Sequence, residues 1–79
     1  MDVKVLGTGC PKCSTLEAKV RSIAQENEIP IQIEKVKELN RIMAYGVVLT
    51  PGLVINGEVK CTGKIPGDED ILNWLKGNP

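Results

Sequence analysis

The stretch GTGCPKCSTLEAKV, residues 7–20, decides how this chain folds, because a short strand-like pattern gives way there to a helical one. Cys10 and Cys13 stand at this boundary, three residues apart, with Pro11 between them. Proline suits the first position of a helix, where its missing N–H costs little. The sequence therefore predicts a helix that starts at Pro11. The two cysteines are a redox couple, two ligands of a metal site, or two small buried residues.

The pattern on either side of this boundary predicts one strand and one amphipathic helix. Upstream, Val3 and Val5 alternate with Asp2 and Lys4, which predicts a strand that ends at Gly7. Downstream, an apolar stripe at helical spacing continues to about residue 27. Its members are Cys13, Leu16, Val20, Ile23 and Ala24.

The middle of the chain predicts a second strand and a short second helix. Isoleucine alternates with other residues from position 29 to 33, which indicates a strand that ends near Val36. The helix that follows is expected to turn Leu39, Ile42 and Met43 inward on one face. The charges of EKVKELNR, residues 34–41, are interpreted as solvating that helix.

The last third predicts a β-hairpin and a final helix. Residues 47–61, VVLTPGLVINGEVKC, contain Asn56-Gly57 between two apolar runs, and this dipeptide is a strong signal for a hairpin turn. The final helix opens at Gly67 and Asp68. Its predicted inward residues are Ile71, Leu72 and Leu75.

The predicted order β-α-β-α-β-β-α specifies an α/β fold, a four-stranded mixed sheet flanked by helices on both faces. A right-handed crossover makes the first two strands parallel, and the hairpin adds two antiparallel strands. Since no linker interrupts the 79 residues, residues 1–79 are expected to form a single domain.

Composition narrows the classes of function. Ten basic residues balance ten acidic ones, so no general field favours nucleic acid or an anionic membrane as a partner. The start, MDVKVLG, lacks the features of a signal peptide, and three cysteines do not suit a secreted disulfide scaffold. We therefore expect a cytoplasmic protein. The absence of histidine excludes Cys–His nucleophiles and histidine-based zinc sites.

Helix electrostatics predict different chemistry for the two cysteines. At the helix entrance, unpaired N–H groups and the helix dipole favour a thiolate, so the pKa of Cys10 should lie below the usual value of about 8.5. Lys12 adds positive potential, whereas Cys13 lies on the buried face and should stay protonated longer. Cys10 is therefore the expected nucleophile that attacks a disulfide, and Cys13 is expected to resolve the mixed disulfide. A redox-active Cys10–Cys13 disulfide then needs no separate cofactor.

The LTP sequence at residues 49–51 suggests a substrate-binding loop. Pro51 cannot donate to a sheet, and a proline at the start of an inner strand indicates either a cis Thr50–Pro51 bond or an ordinary trans proline. The cis form would expose the Thr50 backbone to an extended substrate.

CPKC at residues 10–13, together with YGVVLTPGLVINGEV at residues 45–59, resembles the thioredoxin-like superfamily. The chain is most similar to the very small prokaryotic redox-active disulfide proteins, and its GTGCPKC opening is similar to that of glutaredoxins. The resemblance implies a thioredoxin-like fold and a thiol–disulfide oxidoreductase with a cis Pro51 beside Cys10. It also implies disulfide-containing protein substrates, with a reductase or a low-molecular-weight thiol as electron donor. We expect the chain to act as a monomer.

Three departures from these families modify the expectation. The buried aspartate that accepts a proton in thioredoxins aligns with Lys4, so that role is not carried over. Lys12 replaces the aromatic residue between the cysteines of glutaredoxins, and Gly63 matches their Gly-Gly pair only in part. The candidate substrate-binding residues are Thr50, Pro51, Lys12 and Gly63.

A metal-carrying function is the alternative. GTGCPKC also resembles the G-M-T-C-x-x-C loop of heavy-metal-associated domains, in which two thiolates bind Cu(I). The chain would then be a Cu(I)- or Zn-binding, metallochaperone-like domain. Those domains, however, run β-α-β-β-α-β and end in a strand.

A third cysteine, Cys61, falls in the predicted fourth strand, with Val59 on the same face. Cys61 is interpreted as a small buried residue. The alternative is a third thiol near the cysteine pair, as a metal ligand or a secondary redox group.

Overall fold

The computed structural model describes residues 1–7 and 11–77, and every structural statement below concerns these residues. The order of helices and strands is the predicted one, and the α/β class is confirmed. The strands are β1 (Asp2–Leu6), β2 (Gln32–Val36), β3 (Gly52–Ile55) and β4 (Glu58–Thr62). The helices are α1 (Pro11–Glu26), α2 (Leu39–Ala44) and α3 (Asp68–Leu75).

The sheet is mixed, with strand order β2-β1-β3-β4. β1 pairs in parallel with β2 and antiparallel with β3, and β3 pairs antiparallel with β4. Because successive strand residues point to opposite faces, Val3 and Val5 belong to one apolar cluster and Leu6 to another. Cys13 lies at the end of the sheet where β1 and β2 finish, because α1 begins there.

The helices α1 and α3 cover the face that carries the larger cluster. The apolar stripe predicted for α1 is confirmed, because its five members are the buried residues of that helix. Ile71 and Leu75 are the buried residues of α3. Full burial of one such side chain, for example Leu16, contributes roughly 1.5–3 kcal/mol.

The helix α2 lies on the other face and buries less than predicted. Ile42 is buried there, but Leu39 and Met43 are 62% and 58% exposed, so the predicted shared inward face is wrong. The reason is geometric: a six-residue helix presents little more than one position to a small cluster, and Met43 lies about 100° around the axis from Ile42.

The strand β2 begins later than the isoleucine alternation predicted. Ile29 and Ile31 pack against the larger cluster but precede the strand. Gln32 pairs with Asp2, the first residue of β1, and therefore no earlier strand residue is available to extend the pairing.

The hairpin turns at Asn56-Gly57 as predicted, and both residues have positive φ (51° and 82°). This combination is characteristic of the tight turns that match strand twist. Asn56 also ties the turn to β1, because its side-chain oxygen accepts a hydrogen bond from the Asp2 N–H at 2.9 Å.

The strand β4 contains a β-bulge that the sequence pattern did not reveal. Cys61 pairs with Leu53, whereas Val59 pairs with Val54, and the register shifts between these pairs. Leu53 and Val54 belong to clusters on opposite faces, so the prediction that Val59 and Cys61 share a face is wrong. Lys60 is the extra residue, and an extra residue reverses the alternation of side chains beyond it.

An ion-pair network joins α1 to the edge strand β2. The Glu17 carboxylate lies 2.9 Å from the Lys35 ammonium and 3.0 Å from the Arg21 guanidinium. The hydrogen bond from Lys35, followed by that from Arg21, holds the pKa of Glu17 below its ordinary value.

We predict that Glu17→Gln makes stability less dependent on pH. A carboxylate whose folded-state pKa is lowered stabilises the fold above its unfolded pKa, and this contribution is lost as pH falls through the folded value. At pH 7 the variant should lose up to about 1 kcal/mol of unfolding free energy. The difference in unfolding free energy between the variant and the parent protein should disappear below about pH 4. Urea denaturation across a pH series measures both quantities.

The matched control for this prediction is Glu26→Gln, since Glu26 lies on the same helix and has no salt bridge to a described residue. Equal pH profiles for Glu17→Gln and the parent protein would contradict the assignment.

Candidate active site

The predicted nucleophile, Cys10, lies outside the described residues, as do Thr8 and Gly9 before it. Its partner Cys13 lies in the first turn of α1, which begins at Pro11 as predicted.

Cys13 is a buried residue of the larger apolar cluster, with 7% of its surface exposed. Its sulfur packs against the main chain of Gly7 so closely that a Cβ added at Gly7 would overlap Cys13 Sγ. The N–H of Gly7 donates a 2.9 Å hydrogen bond to the carbonyl of Val36, which fixes this segment to the end of β2. Gly7 is therefore a site residue that provides room for the buried sulfur.

The loop before β3 reaches the same place. The position that a Cβ of Gly7 would occupy lies 3.9 Å from the Cβ of Thr50. The Thr50–Pro51 peptide bond is cis, Pro51 is buried and Thr50 is exposed. The fold thus brings Thr50 next to Cys13, although 37 positions of chain numbering separate them.

Gly63 supports this loop from β4. Its N–H donates a 2.8 Å hydrogen bond to the Pro51 carbonyl, and its φ of 76° lies in the region that favours glycine. A Cβ at Gly63 would lie 3.1 Å from the Cβ of Leu49. The structure therefore brings Thr50, Pro51 and Gly63 together, with Gly63 contacting the loop by its main chain.

Two exposed apolar residues at this loop were not identified from the sequence. Val48 is 88% exposed and Leu49 is 62% exposed, immediately before Thr50. The LTP sequence predicted a loop that includes Leu49, but it assigned no role to the Leu49 side chain or to Val48. Pro51 was the available signal, because a strand that begins after a proline leaves the preceding residues in the loop.

A cavity of about 140 Å³ borders the buried sulfur. Its described lining residues are Val5, Gly7, Cys13, Ser14, Lys35 and Lys37. The charge pattern of residues 34–41 predicted that these two lysines solvate a helix, but Lys35 lies in β2 and Lys37 follows directly after that strand. The signal that could have revealed them is topological, since the carboxyl ends of parallel strands β1 and β2 meet at the same edge.

The other candidates lie apart from this cavity. Lys12 is exposed on the first turn of α1. Lys4 forms salt bridges with Asp2 at 2.7 Å and Glu34 at 3.7 Å, and its hydrogen bond to Asp2 raises the pKa of Lys4. Since Lys4 alternates with Val3 and Val5 along β1, its side chain leaves the sheet on the face away from Cys13.

Cys61 is buried in the same apolar cluster as Cys13, in agreement with its interpretation as a small buried residue. Its Sγ–H donates a weak 3.7 Å hydrogen bond to the Lys64 carbonyl. Cys61 does not line the cavity that borders Cys13.

Comparison with known proteins agrees with this geometry. A family model described as "Thioredoxin domain" matches residues 1–76 of this chain. The chain belongs to the thioredoxin-domain family. A thioredoxin of Methanothermobacter thermautotrophicus is 37% identical over 75 residues, which cover 95% of this chain and 97% of that protein. A thioredoxin of Methanocaldococcus jannaschii is 36% identical over 74 residues, or 94% of this chain and 85% of that protein.

Membership of this family defines the chemistry in general terms. This protein is a small thiol–disulfide oxidoreductase with a thioredoxin-like α/β fold. The metallochaperone alternative finds no support in these comparisons, and a helix, α2, separates β2 from β3, where the heavy-metal-associated order has two consecutive strands. None of the helices within residues 11–77 has both the length and the apolarity needed to cross a bilayer.

We predict that Gly7→Ala displaces the Cys13 side chain. Because the new Cβ would overlap Cys13 Sγ, either the sulfur or the strand end must shift, and overpacking of this kind costs about 1–3 kcal/mol. Chemical denaturation of the reduced protein measures the loss.

Gly67→Ala is the control, since its Cβ would meet no atom within 4 Å. This variant should lose less than about 1 kcal/mol through weaker capping of α3. Equal losses in the two variants would show that the Gly7–Cys13 contact is not the cause.

Proposed function

We propose that the CPKC dithiol exchanges disulfides with protein or low-molecular-weight substrates, with Cys10 as nucleophile and Cys13 as resolving thiol. The supporting observation is the packing of Cys13 Sγ beneath Gly7, with Thr50 beside it. A buried thiol in this position is protected from direct attack, and it stands three residues after the proposed nucleophile in the sequence. Such an asymmetric pair suits a two-step exchange.

The proposed reaction conserves electrons in two steps. The Cys10 thiolate attacks one sulfur of the substrate disulfide, forms a mixed disulfide and releases the first substrate thiol. The Cys13 thiolate then attacks the Cys10 sulfur, forms the Cys10–Cys13 disulfide and releases the second substrate thiol. The substrate gains two electrons and the dithiol loses two. A reductase or a low-molecular-weight thiol returns them, so the redox-active disulfide takes the place of a separate cofactor.

Thr50 and Pro51 form the proposed docking loop for an extended substrate. The main chain of Thr50 makes no hydrogen bond to the described part of the chain, so its N–H and carbonyl are available to pair with a substrate strand. The Pro51 carbonyl already accepts the hydrogen bond from Gly63, so Gly63 acts by holding the loop in place. Lys12, exposed on α1, is proposed to contact bound substrate through its charge.

The proposal for the protein as a whole follows from its family membership. We propose one thioredoxin-like domain over residues 1–79, acting as a cytoplasmic monomer. Its proposed partners are disulfide-containing proteins and an electron donor that is a reductase or a small thiol, and neither nucleic acid nor membrane is a partner.

We predict that Cys13→Ser accumulates a covalent mixed disulfide on Cys10. Without the resolving thiol, the second step cannot release the substrate. Mass spectrometry after incubation with insulin, followed by peptide mapping, locates the adduct. Cys10→Ser should abolish insulin reduction with dithiothreitol as donor.

Cys61→Ser is the matched control, because Cys61 is a buried cysteine that does not line the cavity beside Cys13. It should retain insulin reduction and form no trapped adduct. An adduct mapped to Cys61 in the Cys13→Ser variant would contradict the assigned nucleophile.

A further inference from the structure

The cavity beside Cys13, here called the basic cavity, has a size suited to a small polar group. Its volume of about 140 Å³ corresponds to roughly four to five water molecules. A carboxylate and the short carbon stem that bears it would fit this space. The cavity borders the Cys13 side chain, and the Cys10 and Cys13 sulfurs must approach within about 2 Å to form their disulfide. The basic cavity therefore lies beside the point of exchange.

The charged groups around the basic cavity are predominantly cationic. Lys35 and Lys37 line it from the end of β2, and Glu17 of α1 approaches it through its ion pair with Lys35, whereas Lys12 does not line it. Glu17 is occupied, because it binds Lys35 at 2.9 Å and Arg21 at 3.0 Å. The strand β1 lines the cavity without charge, through Val5 and Gly7.

Lys37 is the cation that this arrangement leaves uncompensated. Within residues 1–7 and 11–77, no carboxylate lies within salt-bridge distance of its ammonium group. A negative charge placed in the basic cavity would thus meet a lysine whose charge is not already neutralised. Since the site is partly enclosed, such an attraction is less screened than one on the open surface.

We propose that the basic cavity is an anion subsite, in which Lys37 binds a carboxylate of the disulfide substrate while exchange proceeds at the cysteine pair. The inference rests on the proposed dithiol function and adds a substrate class to it: disulfides with an acidic group a few bonds from the sulfur. The anion takes no part in bond making or breaking. Lys37 acts as a specificity-determining residue by favouring the approach of anionic substrates.

Three small disulfides test this proposal, namely those of mercaptopropionate, mercaptoethanol and cysteamine, which are anionic, neutral and cationic. Each kcat/KM is divided by the rate constant of the same disulfide with free dithiothreitol, which corrects for intrinsic reactivity. The normalised values should rank anionic above neutral above cationic. Lys37→Gln should reduce the anionic-to-neutral ratio by roughly two- to fivefold, and Lys37→Glu should reduce it further.

Lys76→Gln is the matched control. It removes the same charge from an exposed lysine that follows α3 and does not line the basic cavity, so the ratio should not change. Raising the salt concentration from about 0.01 M to about 1 M shortens the Debye length from about 30 Å to about 3 Å. This change should reduce the ratio for the parent protein and have less effect in Lys37→Gln.

The outcomes separate this inference from the function on which it rests. If neither insulin nor any of the three small disulfides is reduced, the proposed function fails, and if insulin alone is reduced, the dithiol function stands and the anion subsite is refuted. If all are reduced with equal normalised rates, the dithiol function stands and the anion subsite is refuted. A ratio that falls equally in Lys37→Gln and Lys76→Gln, or falls only in Lys12→Gln, also refutes it, because net charge or a different lysine would then be responsible.

Discussion

The contact between the Cys13 sulfur and the main chain of Gly7 constrains the whole end of the protein that carries the candidate active site. A buried sulfur needs space where β1 finishes, and a residue without a side chain provides it. The hydrogen bond from Gly7 to Val36 fixes that strand end against β2. Because Thr50 lies against the same position, the proposed docking loop, the start of α1 and the ends of β1 and β2 meet at one small volume.

Local patterns in the sequence predicted the helices and strands well, because each pattern reflects a nearby physical cause. The stripe headed by Cys13 repeats at helical spacing, and it is buried. Asn56-Gly57 adopts the positive φ angles that its turn requires. Pro11 begins its helix as expected from the missing N–H.

Errors arose where the outcome depends on pairing between distant residues. Ile29 has strand character, yet β1 offers no residue with which it could pair. Met43 is apolar, yet a short helix over a small cluster leaves it exposed. Lys35 and Lys37 carry no motif, and their place beside Cys13 follows from the parallel pairing of β1 with β2. The candidate site was therefore only partly predictable, because residue type identified the cysteines but not their surroundings.

The bulge at Lys60 has a consequence for how the molecule behaves in crowded solution. The strand β4 is an outer strand of the sheet, and its unpaired main-chain groups form a template on which another chain could assemble. A local kink and the Lys60–Glu58 ion pair interrupt that template. The irregularity that turns Cys61 inward thus also protects the open border of the sheet against intermolecular strand addition.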